Sequence, residues 1–216
     1  MKKEIYLFIF LLTAIQFAKG QELPIPNSYS ILDSISGDLD KDSKRELVVA
    51  YNTGSENKNE SVPRELIIYK LENDRWVTWK KSAQALLGSR DGGMMGDPFE
   101  EIEIKNGILL ISESGGSSWK WGFTDKYRFQ NEEFYLIGHS SLNGKPCEYW
   151  QQVDFNISTG KMIVKKEFEN CETEDQEIYK KENETLFEKG LKITLQERSE
   201  TEIKITTPKY GHEIYL

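Results

Sequence analysis

The chain has 216 residues, of which 38% are hydrophobic and 30% are charged, and its formal net charge at pH 7 is −8. This length is enough for one domain of ordinary size or for two small ones. The acidic balance argues against binding of nucleic acid or anionic lipid through the overall electric field of the protein.

The chain begins with the pattern of a cleavable signal peptide, predicted for residues 1–20. Lys2 and Lys3 form a short positive start, residues 5–15 form an apolar run, and Gly20 is a small residue at the predicted cleavage site. The apolar run has 11 residues, whereas a membrane-spanning helix needs roughly 20. We therefore expect cleavage near Gly20, a periplasmic or secreted protein, and no membrane insertion afterwards. Cleavage removes three lysines and one glutamate, which changes the formal charge from −8 to −10.

An acidic loop precedes the first strong strand signal of the mature chain. Asp38, Asp40 and Asp42 stand at alternate positions, and Glu46 follows four residues later. Calcium takes about six to eight oxygen ligands, and carboxylates at alternate positions of a tight loop can converge on one ion. The backbone carbonyl of Lys44 would add a ligand, and Glu46 would close the site directly or through water. We predict a Ca²⁺ site here; the alternative is a solvated turn whose aspartates only favour the turn geometry.

The acidic loop leads into the apolar run Leu47–Tyr51 rather than into the helix that follows an EF-hand loop. This arrangement resembles the FG-GAP or VCBS type of calcium repeat, and the resemblance covers about residues 31–79. It implies a strand, a calcium loop and a following hairpin. Members of that family usually have Gly at the sixth loop position and Asp at the ninth, where this chain has Ser43 and Glu46, and they repeat the motif, which occurs once here. A positive φ at Ser43 would cost about 1 kcal/mol.

Two hairpins are predicted after this loop. Asn73 and Asp74 separate two strand-like runs, residues 64–71 and 75–79. Asn-Gly divides the apolar residues 102–111 in the same way, and this dipeptide favours the tight turns whose twist matches paired strands.

Further strand signals follow toward the end of the chain. Residues 119–129 alternate aromatic and polar side chains, which predicts one long strand, or two with a bend near Asp125, whose aromatic face is buried. Residues 134–137 would form the next hairpin strand. A last strand pair is expected between residues 191–195 and 202–206.

Only two stretches have a helical alternative. Residues 82–87 could form a short helix, and residues 172–188, rich in Glu and Lys, could form a helix or an acidic loop. The remaining signals predict an all-β fold of successive antiparallel hairpins, either partial-propeller-like or a β-sandwich. We expect residues 21–216 to form a single domain. Its expected units are the calcium-loop unit 31–80, the central hairpins 91–140 and a disulfide-closed hairpin 147–171.

The two cysteines of the chain are predicted to form a disulfide. The midpoint between Cys147 and Cys171 falls in the turn signal at residues 158–161. A hairpin folded at this turn would bring the cysteines nearly opposite each other, at about the 5.5 Å Cα separation of a disulfide. Export would place them in an oxidising compartment. The alternative is a pair of buried free thiols.

Two glycine-rich segments flank the central hairpin, at residues 91–99 and 112–119. If residues 102–111 fold as a hairpin, both segments emerge at the same end of it. Together they could form a binding cleft, although flexible turns are the alternative. The candidate binding residues of this cleft are Asp91, Asp97, Glu113 and Trp119.

The chain carries few signals of an enzyme. The two histidines, His139 and His212, lie near no nucleophile motif, and no zinc-ligand spacing is present. We interpret His139 as structural because it lies at the end of an apolar strand. A carboxylate-pair glycoside hydrolase remains an alternative because the chain has 36 acidic residues.

The leading functional hypothesis is an exported, non-enzymatic binding protein with a calcium-stabilised β fold. Its partner would be a protein or a glycan and not a nucleic acid, and we expect the chain to be a monomer. The first alternative is an inhibitor or immunity-type protein that blocks a toxin or hydrolase by inserting the loop Gly92–Pro98. The second alternative is the glycoside hydrolase.

Overall fold

The computed structural model describes residues 22–54, 60–171, 177–199 and 202–216. The predicted signal peptide lies outside these described residues. Within them the chain forms thirteen β-strands and no α-helix, which confirms the all-β prediction. The described ranges therefore contain no helix that is long and apolar enough to span a membrane.

The strands form three antiparallel sheets, of four, seven and two strands. The four-stranded sheet contains β1 (Ser30–Gly37), β2 (Glu46–Asn52), β3 (Arg64–Glu72) and β4 (Arg75–Ser82). The seven-stranded sheet contains β5 (Phe99–Lys105), β6 (Ile108–Gly116), β7 (Lys120–Gln130), β8 (Glu133–Lys145), β9 (Tyr149–Asn156), β10 (Lys161–Asn170) and β11 (Glu177–Phe187). The short pair is β12 (Lys204–Thr206) and β13 (Glu213–Tyr215). In each sheet the strands are adjacent in chain order, so the fold is built of successive hairpins.

Local turn chemistry sets the hairpins. Asn73 and Asp74, between β3 and β4, have φ of 48° and 62°, and Asn106 and Gly107, between β5 and β6, have φ of 54° and 75°. Two successive residues with positive φ are typical of the tight turns that match the twist of paired strands. Both predicted hairpins are thereby confirmed.

The two large sheets enclose one hydrophobic core. Val48 and Leu66 from the four-stranded sheet belong to the same buried cluster as Leu109, Tyr127 and Phe155 from the seven-stranded sheet. The edge strands β1 and β5 also meet, since the backbone N–H of Ile102 lies 3.4 Å from Oδ2 of Asp33. Two sheets around a shared core form a β-sandwich, which decides between the two predicted architectures.

The central strands of the four-stranded sheet are buried on both faces. Val49, Tyr51, Ile67 and Tyr69 form a second cluster on the face opposite the main core, covered by Leu23 and other residues. The two tyrosine hydroxyls lie 3.0 Å apart and form a buried hydrogen bond. Burial on both faces explains why Leu47–Tyr51 is a continuous apolar run rather than an alternating one.

Residues 172–188 were predicted to form a helix or an acidic loop, and both alternatives are wrong for the described residues 177–187. Residues 177–187 form the strand β11, which pairs with β10 along its whole length. Its inner face carries the buried glutamates Glu182 and Glu184, and its other side chains are mostly exposed. The strand therefore lacks apolar alternation, and its charges suit a sheet edge that must resist pairing with another chain. The short stretch 82–87 is likewise not helical, since it consists of the end of β4 and bends.

The predicted pairing of residues 191–195 with 202–206 was also wrong. Leu136 donates its N–H to the carbonyl of Ile193 at 2.9 Å, and Leu195 donates to Phe134 at 2.9 Å, so residues 191–195 lie along β8. Lys204–Thr206 pairs instead with Glu213–Tyr215. The reason is burial, since Ile193 and Leu195 enter the main core.

The predicted disulfide is present in the structure. Cys147 and Cys171 are bonded, with their Cα atoms 5.2 Å apart. They flank the hairpin of β9 and β10, which pair through eight residue positions from Lys161↔Asn156 to Phe168↔Tyr149. The bond therefore closes the open end of a hairpin whose turn is at residues 157–160.

Replacing both cysteines by serine should lower the free energy of unfolding by about 3 kcal/mol, because the unfolded chain regains loop entropy. Denaturant unfolding monitored by circular dichroism measures this difference. Reductant should destabilise the parent protein to a similar extent and leave the double variant unchanged. A parent protein whose mass does not rise by two hydrogens on reduction would show that no disulfide is present.

Candidate functional site

The acidic loop brings three carboxylates together. Ligand oxygens of Asp38, Asp40 and Asp42 all lie within 4.8 Å of one another. Asp38 accepts hydrogen bonds from the backbone N–H groups of Lys41 at 2.7 Å and Ser43 at 3.0 Å. Side chains that bond to the backbone a few residues further on hold such a loop in a tight turn. The loop is therefore ordered by its own aspartates.

The sixth loop position has a left-handed backbone conformation. Ser43 has a φ of 69°, in the left-handed region where glycine is favoured. A side chain in this conformation costs about 1 kcal/mol or somewhat more. The loop thus stores strain at Ser43.

A lysine from β3 already neutralises one of the three carboxylates. Lys70 forms an ion pair with Asp40, and its Nζ atom lies 3.9 Å from the ring centroid of Trp79. Burial alone would raise the pKa of Asp40, but the hydrogen bond from Lys70 and the other favourable contacts outweigh it and hold the pKa below its ordinary value. A metal ion at this loop would share Asp40 with the Lys70 ammonium.

The side chain of Glu46 closes the loop by accepting a hydrogen bond from a backbone N–H group. It is 2% exposed, and its Oε2 accepts the N–H of Leu39 at 2.7 Å. Burial raises its pKa, against the lowering effect of this hydrogen bond. Glu46 does not belong to the group of three mutually close carboxylates. Lys44, whose backbone carbonyl is the other predicted ligand, is exposed, and its side-chain ammonium lies 3.7 Å from Asp42.

The two glycine-rich segments meet, as their placement around the hairpin predicted. Gly93 and Gly116 form a β-bridge, Gly116 donates its N–H to Gly92 at 2.8 Å, and Met95 donates to Gly116 at 3.2 Å. Met94 and Met95 project from this joined structure and are 88% and 51% exposed.

The four candidate binding residues nevertheless do not line one cleft. Asp91 accepts hydrogen bonds from Ser61 at 3.2 Å and from the N–H of Gly88 at 2.7 Å, so it fixes a turn. Asp97 forms an ion pair with the fully buried Arg64. Burial would raise the pKa of Asp97, but the Arg64 guanidinium outweighs this effect and lowers it. Both aspartates are thus part of the scaffold.

Glu113 lines a pocket of about 290 Å³ on the inner face of the seven-stranded sheet. Strands β6 to β9 form its floor, the segment after β4 forms one wall, and the C-terminal residues form another. Its lining includes the ionisable and aromatic residues Glu113, Trp121, Phe123, Asp125, His139 and Arg198. Trp119 lies outside the pocket and lines a neighbouring groove.

A shift in strand register turns the polar residues of the floor inward. Asp125 pairs with His139, whereas Tyr127 pairs with Leu136, so β8 carries one extra residue between these two pairs. Both Leu136 and His139 are therefore buried on the same face, although they are three positions apart. A β-bulge of this kind re-aims side chains and is common beside functional sites.

Asp125 is the electrostatic centre of the pocket. His139 donates its Nδ1–H to Oδ1 of Asp125 at 2.7 Å, and Arg198 forms an ion pair with the other carboxylate oxygen. The Asp125 side chain is 3% exposed. Burial opposes its charge, but the hydrogen bond from His139 and the charge of Arg198 outweigh this effect and lower its pKa.

The bond to Asp125 fixes the orientation of the imidazole of His139. With Nδ1 as the donor to a carboxylate, the neutral ring carries its acceptor at Nε2. This Nε2 atom is buried and has no hydrogen-bond partner among the residues that the structure describes. The ring stacks on Phe123, with centroids 5.7 Å apart, and Arg198 lies 5.6 Å from the centroid of the same phenyl ring.

Glu113 has the opposite electrostatic character. It is 2% exposed, and its Oε1 accepts the N–H of Leu87 at 2.9 Å. Burial raises its pKa to about 7, since this single backbone hydrogen bond compensates only part of the lost hydration. Near neutral pH the carboxyl group therefore exchanges between an acid that can donate a hydrogen bond and a carboxylate that can accept one.

The sequence interpretation missed Asp125, His139 and Arg198 as members of one site. Arg198 is separated from Asp125 by 73 residues, so no local spacing joins them. One signal was available, because Asp125 is the only charged residue on the aromatic side of the alternation in residues 119–129. An aspartate that points toward a core needs a charged partner.

Comparison with known proteins assigns no relative to the chain. It matches no family model, no curated protein and no solved structure at a significant level.

Replacing Glu113 by Gln should remove a pH dependence of stability. The raised pKa means that Glu113 favours the folded state below about pH 4.5, and that this contribution is lost as the pH rises through about 7. The free energy of unfolding of Glu113→Gln relative to the parent protein should therefore rise by on the order of 3 kcal/mol between about pH 4 and pH 8.

Urea unfolding across this pH range measures the difference between the two proteins. Glu101→Gln is the matched control, since Glu101 is exposed on β5. A pH-independent difference for Glu113→Gln, or the same curve for both variants, would contradict the electrostatic account of Glu113.

Proposed function

We propose that the chain is an exported, non-enzymatic binding protein that holds a glycan in the pocket of Glu113. The pocket is the observation that supports this proposal. Its volume of about 290 Å³ is close to the lower end of the ~300–1,000 Å³ that ligand sites have. Concave sites with apolar walls and a few polar groups with perturbed pKa values are where proteins bind small molecules.

The walls combine aromatic faces with neutral polar groups. Trp121 and Phe123 are nearly parallel, with ring centroids 6.0 Å apart and an interplanar angle of 15°. Asn143, Gln151 and Ser141 also line the pocket. A sugar ring presents apolar C–H faces and a rim of hydroxyl groups, so it matches aromatic faces next to amides and hydroxyls.

Two inner groups have capacity for further hydrogen bonds. Only Oε1 of Glu113 is bonded to another described residue, and the acceptor Nε2 of His139 has no described partner. A hydroxyl group of a ligand can donate to Glu113, and the protonated form of Glu113 can donate in return, whereas Nε2 of His139 is buried out of reach of a ligand. Asp125 is held by His139, Arg198 and the hydroxyl of Tyr127, so we assign it to the support of the site.

Calcium belongs to the same proposal as a stabiliser of the fold. Three mutually close carboxylates in an alternating Asp loop support it, together with the resemblance to calcium-loop repeats. The loop connects β1 to β2 and lies against the turn between β5 and β6, since the carbonyl of Asp38 would be 3.2 Å from a Cβ atom at Gly107. An ion there would stabilise the junction of the two sheets, far from the chemistry of the pocket.

A pocket-filling variant tests the binding proposal. Ser141 lines the pocket, whereas its neighbour Ser140 bonds to Asp154 and Lys126 on the outer face of the same sheet. The parent protein should change its tryptophan fluorescence on binding at least one member of a panel of gluco-, manno-, xylo- and galacto-oligosaccharides. Ser141→Phe should abolish that binding, because the added ring occupies the space of the sugar.

Ser140→Phe is the matched control and should bind like the parent protein. Absence of binding to the whole panel would overturn the proposal, as would an equal loss of affinity in both serine variants.

A glycoside hydrolase is the second candidate, and one observation favours it. Glu113 and Asp125 line one pocket, with a pKa of about 7 for Glu113 and a lowered pKa for Asp125. Environments that separate two carboxyl pKa values in this way are typical of an acid and its charged partner. Release of reducing ends from a bound oligosaccharide, abolished in Glu113→Gln with binding retained, would replace the binding proposal by this one.

Calcium should raise the melting temperature of the parent protein by a few degrees. An ion that binds only the folded state with a Kd of ~10⁻⁴–10⁻³ M adds about 1–3 kcal/mol of stability at about 10 mM calcium. Asp40→Asn should remove this increase, because it deletes a central ligand charge. Differential scanning calorimetry with calcium and with chelator measures the effect.

Asp74→Asn is the matched control, since it changes the same group in the turn between β3 and β4, where Asn also tolerates a positive φ. Equal melting temperatures of the parent protein in calcium and in chelator would contradict the calcium proposal.

A further inference from the structure

A groove lies beside the pocket on the same sheet. The pocket and the groove share a wall formed by Trp121, Asn143, Gln151 and Tyr215. The outer part of the groove is lined by Trp119, Lys120, Tyr149, Lys166, His212 and Glu213. A ligand seated in the pocket can therefore extend along this surface without leaving the protein.

Aromatic rings follow the groove outward. The centroids of Trp119 and Tyr149 are 5.2 Å apart, and Phe168 lies a further 6.0 Å from Tyr149. Trp119 and Tyr215 are 42% and 47% exposed. Aromatic side chains that line a groove beside an aromatic-walled pocket offer apolar surface to the rings of an extended ligand.

The charges of the groove differ in sign from those of the whole chain. Neither Lys120 nor Lys166 forms an ion pair with a carboxylate of the described residues: Nζ of Lys120 lies 3.6 Å from Sδ of Met95, and Nζ of Lys166 lies 3.5 Å from the ring centroid of Tyr149. The lining carboxylate, Glu213, is paired with Lys204 at 2.6 Å. Two ammonium groups without a close carboxylate thus face a groove in a protein of net charge −8.

The remaining titratable groups do not cancel this positive charge. Glu182 lies 2.6 Å from Nζ of Lys180, which shares its charge, and 3.0 Å from Nε2 of His212, whose pKa burial lowers. Burial lowers the pKa of Lys166, against the raising effect of Glu182. The protein therefore neutralises the ammonium group of Lys166 only in part, and an anionic group of a ligand can pair with it.

We propose that the groove binds a linear acidic oligosaccharide, with one sugar in the pocket and anionic groups of the following sugars at Lys120 and Lys166. This inference rests on the proposed glycan binding and adds the charge and the direction of the ligand. The pyranose rings of such a ligand match the aromatic residues of the protein. Its hydroxyl groups match the side-chain amides, and its carboxylate or sulfate groups match the two ammonium groups. A single-stranded nucleic acid would also offer rings and negative charge, and its binding is therefore one outcome of the test.

Four acidic probes test the proposal: oligogalacturonate, oligomannuronate, hyaluronan and chondroitin sulfate fragments. Each is compared by titration calorimetry with its methyl-esterified or desulfated counterpart, which keeps the rings and loses the charge. At least one acidic probe should bind about tenfold more tightly than its counterpart at low salt, and added salt should reduce the difference. Lys166→Met, which keeps the packing on Tyr149, should bring the two affinities close together.

Lys126→Met on the outer face is the matched control and should leave the preference intact. If no acidic probe binds better than its counterpart, or if Lys166→Met keeps the full preference, the inference is wrong. If oligothymidylate binds as tightly and Lys166→Met weakens it equally, the groove is a nucleic-acid site and the inference is also wrong. Loss of neutral-sugar binding in Ser141→Phe would still support the proposed function in each of these cases.

Discussion

The buried charge of Asp125 is the constraint on which the organisation of this protein depends. An isolated carboxylate in a core is costly by several kcal/mol, and it persists only where partners surround it. Here His139 comes from the adjacent strand and Arg198 from the C-terminal part of the chain, and together they hold the carboxylate in its charged form. Asp125 thereby fixes the orientation of an imidazole and ties a distant segment to the sheet.

Other buried carboxylates on the inner face of the sheet are likewise held by partners from distant parts of the chain. Glu184 accepts the N–H groups of Lys209 at 2.8 Å and Tyr210 at 3.3 Å, and Glu182 lies beside His212. The C-terminal residues thus cover a polar strip of the seven-stranded sheet through bonds to its carboxylates, while the apolar part of that face packs against the four-stranded sheet. A pocket and a groove remain between this polar strip of the sheet and the C-terminal residues that cover it. Ionisable and aromatic residues therefore meet there.

Local chemistry made part of this fold predictable from the sequence. Turn pairs such as Asn73-Asp74 act within a few residues, and the spacing of Cys147 and Cys171 follows from one hairpin, so each can be recognised without the rest of the chain. The strand β11 could not be recognised, because its buried glutamates need partners from the C-terminal residues. The ion pair of Arg198 with Asp125 was unpredictable for the same reason, since its members are 73 residues apart. The three aspartates of the acidic loop, in contrast, lie together as their spacing predicted.

A double-mutant cycle between Asp125 and Arg198 tests the central claim most directly. The free energies of unfolding of Asp125→Asn, Arg198→Met and the double variant, compared with the parent protein, give the coupling between the two side chains. A buried charge pair that anchors the C-terminal residues predicts that the two losses are far from additive, with a coupling on the order of 2–3 kcal/mol. A coupling below about 0.5 kcal/mol, the value found for independent sites, would contradict the account.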